Sequence, residues 1–468
     1  MKKLSILFFS LFFISISSQE NIKYQKPSKE ILDLVEFERP PSILYDENKN
    51  FMLFLFRDNY KSIAELSAKE LRLGGLRIDP KTNIGSRVTY YNNVKIRNLK
   101  NQKSEITQVK GLPKNPKLSN ISWSPDQKRI ALTNTTETGV ELWVLELENG
   151  SVTKLTESNL NSNIGSVINW FSDSENMLVK MISNNRRPLI DTNKIVPDGP
   201  TISTNFGEKA QNRTYQDLLK NKFDEHNFEQ LSTSSIYKVS IDGSVKKWMD
   251  DGMYRTISFS PNGEYVMISQ INKPFSYLVT YSRFPTETNI YNKDGDFVSN
   301  LQKVPLIEEL PKGFMSVRTG KRSFSWRPDK GASLTYVTAL DSGDPSKKVD
   351  FRDEVYELNY PFSGKGKFIL KTINRFSGID WGTKDMAIAY DTWWNTRNRK
   401  SYVFNPSNPN IKPKIISDRN YQDTYSDPGN FLKSRNEFNR SVLKMHHGNV
   451  FLRGQGFSPS GQFPFIDK

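Results

Sequence analysis

Ile121-Ser122-Trp123-Ser124-Pro125-Asp126, followed by the apolar run Ile130-Ala131-Leu132, is the stretch that decides the fold. Apolar and polar residues alternate up to Trp123, as they do in a strand with one buried face. Pro125-Asp126 suits a tight turn, since proline presets φ and aspartate bonds its own backbone. The second run then returns as a paired strand. The unit recurs. Ile168-Asn169-Trp170-Phe171-Ser172-Asp173 precedes Met177-Leu178-Val179, and Ile257-Ser258-Phe259-Ser260-Pro261-Asn262-Gly263 precedes Tyr265-Val266-Met267-Ile268. Phe324-Ser325-Trp326-Arg327-Pro328-Asp329 precedes Leu334-Thr335-Tyr336-Val337, and Ile379-Asp380-Trp381-Gly382 precedes Met386-Ala387-Ile388-Ala389.

A second hairpin follows the first. Glu141 to Leu147 runs through Asn149-Gly150 to Val152–Leu155, and Ile236 to Ile241 through Asp242-Gly243 to Val245–Trp248. Asx-Gly between β-rich runs is the strongest short hairpin signal. Four strands per unit, repeated, is the pattern of a β-propeller. The expected fold is all-β, a propeller of about seven four-stranded blades with the last incomplete. The aromatic of each repeated strand is expected in the core between blades.

The expected blades are 41–105, 118–156, 168–251, 257–305, 323–375 and 379–420, with a seventh starting near 437. An insertion at 183–233 is the least propeller-like part. Pro188, Pro197 and Pro200 make its start irregular, and Thr214 to Leu219 reads as a short capped helix. It forms either a lid or binding site, or a solvated excursion that only packs on the rim. Val450 to Gly456, the turn Pro459-Ser460-Gly461 and Phe463 to Asp467 supply only one hairpin. An unfinished blade leaves unpaired edges, which natural sheets cover. Residues 21–40 then supply the missing strands, or further chain follows. The second reading is preferred.

The chain has 468 residues, 12% of them aromatic, enough for a substantial core. Its +15 charge favours acidic partners. No basic stripe or nucleic-acid motif accompanies that charge, and drift toward lysine, asparagine and isoleucine explains it best. With no cysteine there are no disulfides, thiolate metal sites, cysteine nucleophiles or lipoprotein anchor. Met1-Lys2-Lys3, the apolar run Leu4 to Ile16 and the small residues Ser15-Ile16-Ser17 read as a signal peptide over 1–19. A periplasmic or secreted protein without a membrane span is expected, with an N-terminal segment at 20–40 and the propeller domain at 41–468.

Catalytic motifs are missing. The three histidines are His226, His446 and His447. His226 sits among polar residues. Adjacent His446 and His447 would point to opposite faces of a strand. The nucleophile-elbow pattern G-x-S-x-G does not occur. Gly456-Phe457-Ser458-Pro459-Ser460 comes nearest but lacks the last glycine, and Pro459 blocks entry to a helix. Ser458 is therefore expected in a turn. Phosphate-loop and dinucleotide fingerprints are lacking too, and no metal or cofactor is implied.

Several strings resemble one family. They include Leu71-Arg72-Leu73-Gly74-Gly75-Leu76-Arg77-Ile78-Asp79-Pro80, Val196-Pro197-Asp198-Gly199-Pro200, Thr214 to Leu219, and Trp326-Arg327-Pro328-Asp329. Arg352-Asp353 with Pro361-Phe362, Trp381-Gly382, Trp393-Trp394 with Arg397, and Asp418-Arg419 continue the series. Tyr425-Ser426-Asp427-Pro428-Gly429 and Gly454-x-Gly456-x-Ser458-Pro459-x-Gly461 complete it. Together they resemble the propeller of glutamyl endopeptidase-like serine peptidases, a branch of the prolyl oligopeptidase superfamily. The resemblance implies a propeller that caps a C-terminal α/β-hydrolase domain holding the catalytic triad, a preference for cleavage after glutamate, and peptide substrates. The hydrolase domain is not part of this sequence, so no catalytic residue is carried over and the chain is expected to be inactive alone, a truncated or split product. An acidic substrate side chain would suit an arginine fork. The candidates are Arg187, Arg397 and Arg419, with Arg397 preferred because Trp393-Trp394 flanks it. The rival expectation is a stand-alone binding propeller of the cell envelope.

Overall fold

The computed structural model describes residues 25–101, 103–191, 194, 196, 199 and 214–468. The expected signal peptide at 1–19 lies outside the described residues. Four sheets have four strands each, and one has seven. The seven-stranded sheet is two four-stranded units sharing one long strand, Val245–Phe259. Together with the separate sheets this makes six meander units. A three-stranded sheet, Asn430–Phe431, Leu452–Gly454 and Phe465–Asp467, ends the chain. The fold is the expected all-β propeller.

The repeat seen in the sequence is a register. Trp123 lies opposite Ile130, Trp170 opposite Met177, Phe259 opposite Val266, Trp326 opposite Leu334 and Trp381 opposite Ala387. Each aromatic closes the first hairpin of its unit just before the turn. In the turns the serine hydroxyl accepts from the returning strand: Arg129 N–H donates to Ser124 Oγ at 3.0 Å, and Tyr265 N–H to Ser260 Oγ at 3.0 Å. The turn is thus held by side chain and backbone together.

The core lies between sheets. Leu53, Leu55 and Ile96 of the first unit pack on Leu118, Ile130 and Leu145 of the second. Ala131 and Val144 of the second meet Trp170, Met177 and Val179 of the third. Phe171 and Leu178 then meet Phe259 and Ile268 of the fourth, and Ile290 meets Leu334 and Tyr336 of the fifth. Val337 and Leu370 meet Trp381 and Ala389 of the sixth. A fully buried residue such as Leu178 contributes roughly 1.5–3 kcal/mol, so each interface outweighs any single turn.

Two tryptophans tie first strands directly. Trp170 Nε1–H donates to Ser122 O at 3.2 Å, and Trp326 Nε1–H to Ser258 O at 3.0 Å. First strands therefore stand side by side around the axis, with last strands outside. In such a meander the first–second and third–fourth turns share one end of the ring, and the second–third connections lie at the other. Only the latter end carries long insertions.

That end has its own apolar cluster. Helix Lys222–Ser232 buries Phe228 and Leu231 completely, against Leu73 and Ile78 from an insertion of the first unit and Phe275 and Phe284 from the fourth. Asn221 caps the helix by accepting from Asp224 N–H at 2.9 Å. The described part of the 183–233 insertion is thus packed. Its helix begins eight residues after Thr214, not at Thr214. The reason is Asp217. It adopts a positive φ of 58°, its carbonyl accepts from Gly75 N–H at 2.8 Å, and its carboxylate takes Arg77 Nε–H at 2.6 Å. Gly75 has φ 92°, and a Cβ there would lie 2.8 Å from Thr280, so only glycine fits.

Residues 25–40 give no strand to the last sheet; they carry the helix Lys29–Val35, which buries no residue. The last sheet begins at Asn430, earlier than the expected 437, because Asn430–Phe431 pairs with Leu452–Gly454.

Candidate functional site

The axis shows what each end of the ring can do. At the end of the first–second turns a short hairpin, Lys433–Arg435 and Ser441–Leu443, projects inward. Asn436 Nδ2–H donates to Pro328 O at 2.7 Å, and Asn439 Nδ2–H to Pro125 O. Arg440 Nη2–H donates to Phe259 O at 3.2 Å and Ser260 O at 3.3 Å. Arg435 forks onto Glu47, with Nε to Oε2 at 2.7 Å, and holds that carboxyl below its usual range. Lys433 Nζ reaches Asp380 Oδ1 at 2.6 Å. These partners belong to the fifth, second, fourth, first and sixth units. One hairpin touches the first strands or first turns of five units because these converge there. Between the hairpin and the strands remains a cavity of about 520 Å³, lined by Trp123, Asn169, Trp170, Ser258 and Arg440.

The three arginines singled out from sequence all lie toward the opposite end. Arg187 follows the second strand of the third unit; its side chain is exposed, 3.7 Å from Glu229, which also pairs with Lys273 at 2.8 Å. Arg397 sits in the tight turn joining Met386–Trp393 to Asn398–Phe404, with φ 56°. Its guanidinium lies over the Trp394 ring at 3.8 Å, and Nη1–H donates to Trp394 O at 2.5 Å. No carboxylate neutralises it among the described residues, and Phe314 extends the aromatic surface at 5.5 Å from Trp394. Arg419, at the end of Lys414–Asn420, is bound locally by Ser426 Oγ at 3.2 Å and the Asp423 carbonyl, with Asp427 at 3.8 Å. The structure brings Arg397 and Arg419 to one edge of the sixth unit, where Tyr421 N–H donates to Arg397 O at 2.8 Å. Arg187 belongs to another unit.

Sequence reasoning missed Arg375. It is buried at the start of the sixth unit and donates to Met315 O at 2.8 Å, Asp353 Oδ1 at 3.1 Å and Asp341 Oδ2 at 2.7 Å. Arg352 also meets Asp341 at 2.7 Å and covers the Trp393 ring at 4.0 Å. These arginines are spent on buried carboxylates, so they support Trp393-Trp394 and offer nothing to a ligand.

The possible catalytic groups do not meet. His226 Nε2 lies 2.9 Å from Pro188 O, on the insertion. His446 and His447 meet edge-on, with ring centroids 4.0 Å apart, where Met445–His446 enters a tight turn that His447 begins with φ 48°, so the rings do not point to opposite faces as expected. Ser458 Oγ bonds Ser460 Oγ and Gly461 O, each at 3.0 Å, inside the hairpin Phe457–Ser458 and Gly461–Gln462. It is the turn residue expected. Among the described residues no group of three histidines or carboxylates is placed to hold a metal ion, and no helix is long and apolar enough to cross a membrane.

No family model matches the chain. It is 33% identical over 463 residues to a probable chloroplastic glutamyl endopeptidase of Oryza sativa subsp. japonica, covering 95% of this chain and 49% of that protein. A probable chloroplastic glutamyl endopeptidase of Arabidopsis thaliana is 32% identical over 468 residues, with 95% and 48% covered. The chain therefore spans about half the length of these relatives. Among solved structures, an acylaminoacyl peptidase of Pyrococcus horikoshii matches 93% of this chain and 52% of its own, at 13% identity and a TM-score of 0.40.

Proposed function

We propose, from the premise that this chain is the propeller portion of a glutamyl endopeptidase-like serine peptidase, that it admits and orients peptides for a hydrolase portion that supplies the triad. The observation that carries this is the long match to about half of each relative, beside a Ser458 whose hydroxyl is engaged by Ser460 and Gly461 within its own hairpin. A platform without a nucleophile of its own acts by restricting entry and holding substrate near the reacting centre. The end bearing the insertions suits that role. It holds Arg397, whose guanidinium is fixed on Trp394 and free of carboxylates among the described residues. A planar fork held this way receives a glutamate side chain bidentately. Arg187 and Arg419, toward the same end, would add positive potential. Peptides bearing glutamate are the proposed substrates, and the hydrolase portion is the proposed partner.

Export through the residues 1–19 leader belongs to the same reading. Detection of a mature N-terminus near residue 20 in the periplasmic or secreted fraction tests it.

The functional test uses protein translated from the reading that continues beyond codon 468. The proposal expects a G-x-S-x-G elbow there and an enzyme that cleaves unstructured peptides after glutamate while sparing folded proteins. In that enzyme Arg397→Ala should lower kcat/KM for glutamate at least about tenfold relative to glutamine, the loss of one charge-assisted pair. An unchanged glutamate preference removes Arg397 from the role. Absence of any hydrolase coding, with tight peptide binding by this chain alone, would support a stand-alone binding module instead.

A further inference from the structure

We propose that the hairpin Lys433–Leu443 is an axial plug that closes one mouth of the propeller, so that peptides reach the channel only from the insertion-bearing end. The plug rests on the geometry of the hairpin; only its consequence for peptides rests on the peptidase reading. A loop that merely decorated a rim would touch one or two neighbouring units. This one bonds the first strands or first turns of five, through Glu47, Pro125, Phe259, Pro328 and Asp380.

The chemistry of the contacts fits a plug. Asn436, Asn439 and Arg440 all donate to main-chain carbonyls at the ends of first strands. An oxygen in such a turn needs a donor or water. The hairpin tip supplies three donor side chains within five residues. Its shape is fixed too: Asn436 accepts from Arg440 N–H at 2.9 Å, and Asn439 takes φ 54° to close the turn. Arg435 and Lys433 anchor its base to two units, through Glu47 of the first and Asp380 of the sixth. The cavity inside is bounded on that side by Phe438, Asn439 and Arg440.

The chain has no cysteine, so one can be introduced as a reporter. In Ser258→Cys, placed on the cavity wall, alkylation by N-ethylmaleimide and by a long polyethylene-glycol maleimide is timed with the hairpin intact and again in Asn439→Ala/Arg440→Ala. Reaction through the other mouth contributes equally to both. The plug predicts that the double substitution speeds the long reagent by about tenfold or more, as the open population rises, while the small reagent changes less than about twofold. A version with 436–440 replaced by Asn-Gly should go further in the same direction. Equal long-reagent rates in folded double-substituted and parent proteins would overturn the proposal. If the shortened chain does not fold, the double substitution decides alone. Since no hydrolysis is measured, failure here leaves the peptidase reading standing, and the reverse also holds.

Discussion

The junction of the fifth and sixth units and the axial hairpin both rely on arginine, in opposite ways. At the junction, Arg375, Arg352 and Arg322 are matched by Asp341 and Asp353, both carboxylates fully buried. At the hairpin, Arg440 meets only main-chain carbonyls, and Arg435 meets a half-exposed Glu47. Buried charge is costly unless paired, so the first region is rigid and intolerant of change. Carbonyl partners cost little to release into water, so the second can open without unfolding the ring. The same residue type builds a joint in one place and a removable stopper in the other.

Arg375→Met should have the strongest effect. It leaves Asp341 and Asp353 short of a partner in a dry site and should destabilise by about 3–5 kcal/mol in chemical denaturation. A loss below 1 kcal/mol would mean that the junction is as permissive as the hairpin. Lys180 offers a third case, a buried cation with no carboxylate partner among the described residues. Burial lowers its pKa from the ordinary 10.5 to about 7, and its ammonium reaches only the Ile164 carbonyl. Between about pH 7 and 10.5 the unfolded chain binds this proton and the folded chain does not, so stability should rise with pH across that window. Lys180→Met should remove the rise and stabilise at neutral pH by about 1–3 kcal/mol, read from denaturation curves at several pH values.

Smaller effects sharpen the contrast. Trp326→Phe keeps an aromatic side chain but loses the pyrrole ring and its neutral bond to Ser258 O, and should cost at least about 1 kcal/mol in chemical denaturation. Arg435→Ala removes an exposed pair and should cost only about 0.2–1 kcal/mol, an amount that shrinks as salt is added. A salt-independent loss of several kcal/mol would make the hairpin a structural joint after all.

The sheets were legible because their information is local. A strand of alternating polarity, a Pro-Asp turn and an apolar return lie within about a dozen residues, and Trp123, Trp170, Phe259 and Trp326 repeat that message in register. The hairpin was not legible, because its partners are remote in sequence. Asn439 meets Pro125 across 314 positions and Asn436 meets Pro328 across 108, and no spacing rule links a surface asparagine to so distant a carbonyl. Arg397 could be singled out because its aromatic neighbours adjoin it, whereas Arg375 could not, since Asp341 and Asp353 come from a different unit. Thr214 to Leu219 misled through a local cap pattern that the Arg77–Asp217 contact overrides. The real cap, Asn221 with Asp224, was equally local and could have been found.

The most direct measurement is exposure of the purified chain, alone and folded, to a fluorophosphonate probe. A propeller in which no described serine bonds a histidine stays unlabelled and releases no product from glutamyl peptides. Stoichiometric labelling that disappears when one serine of this chain is replaced would contradict the account.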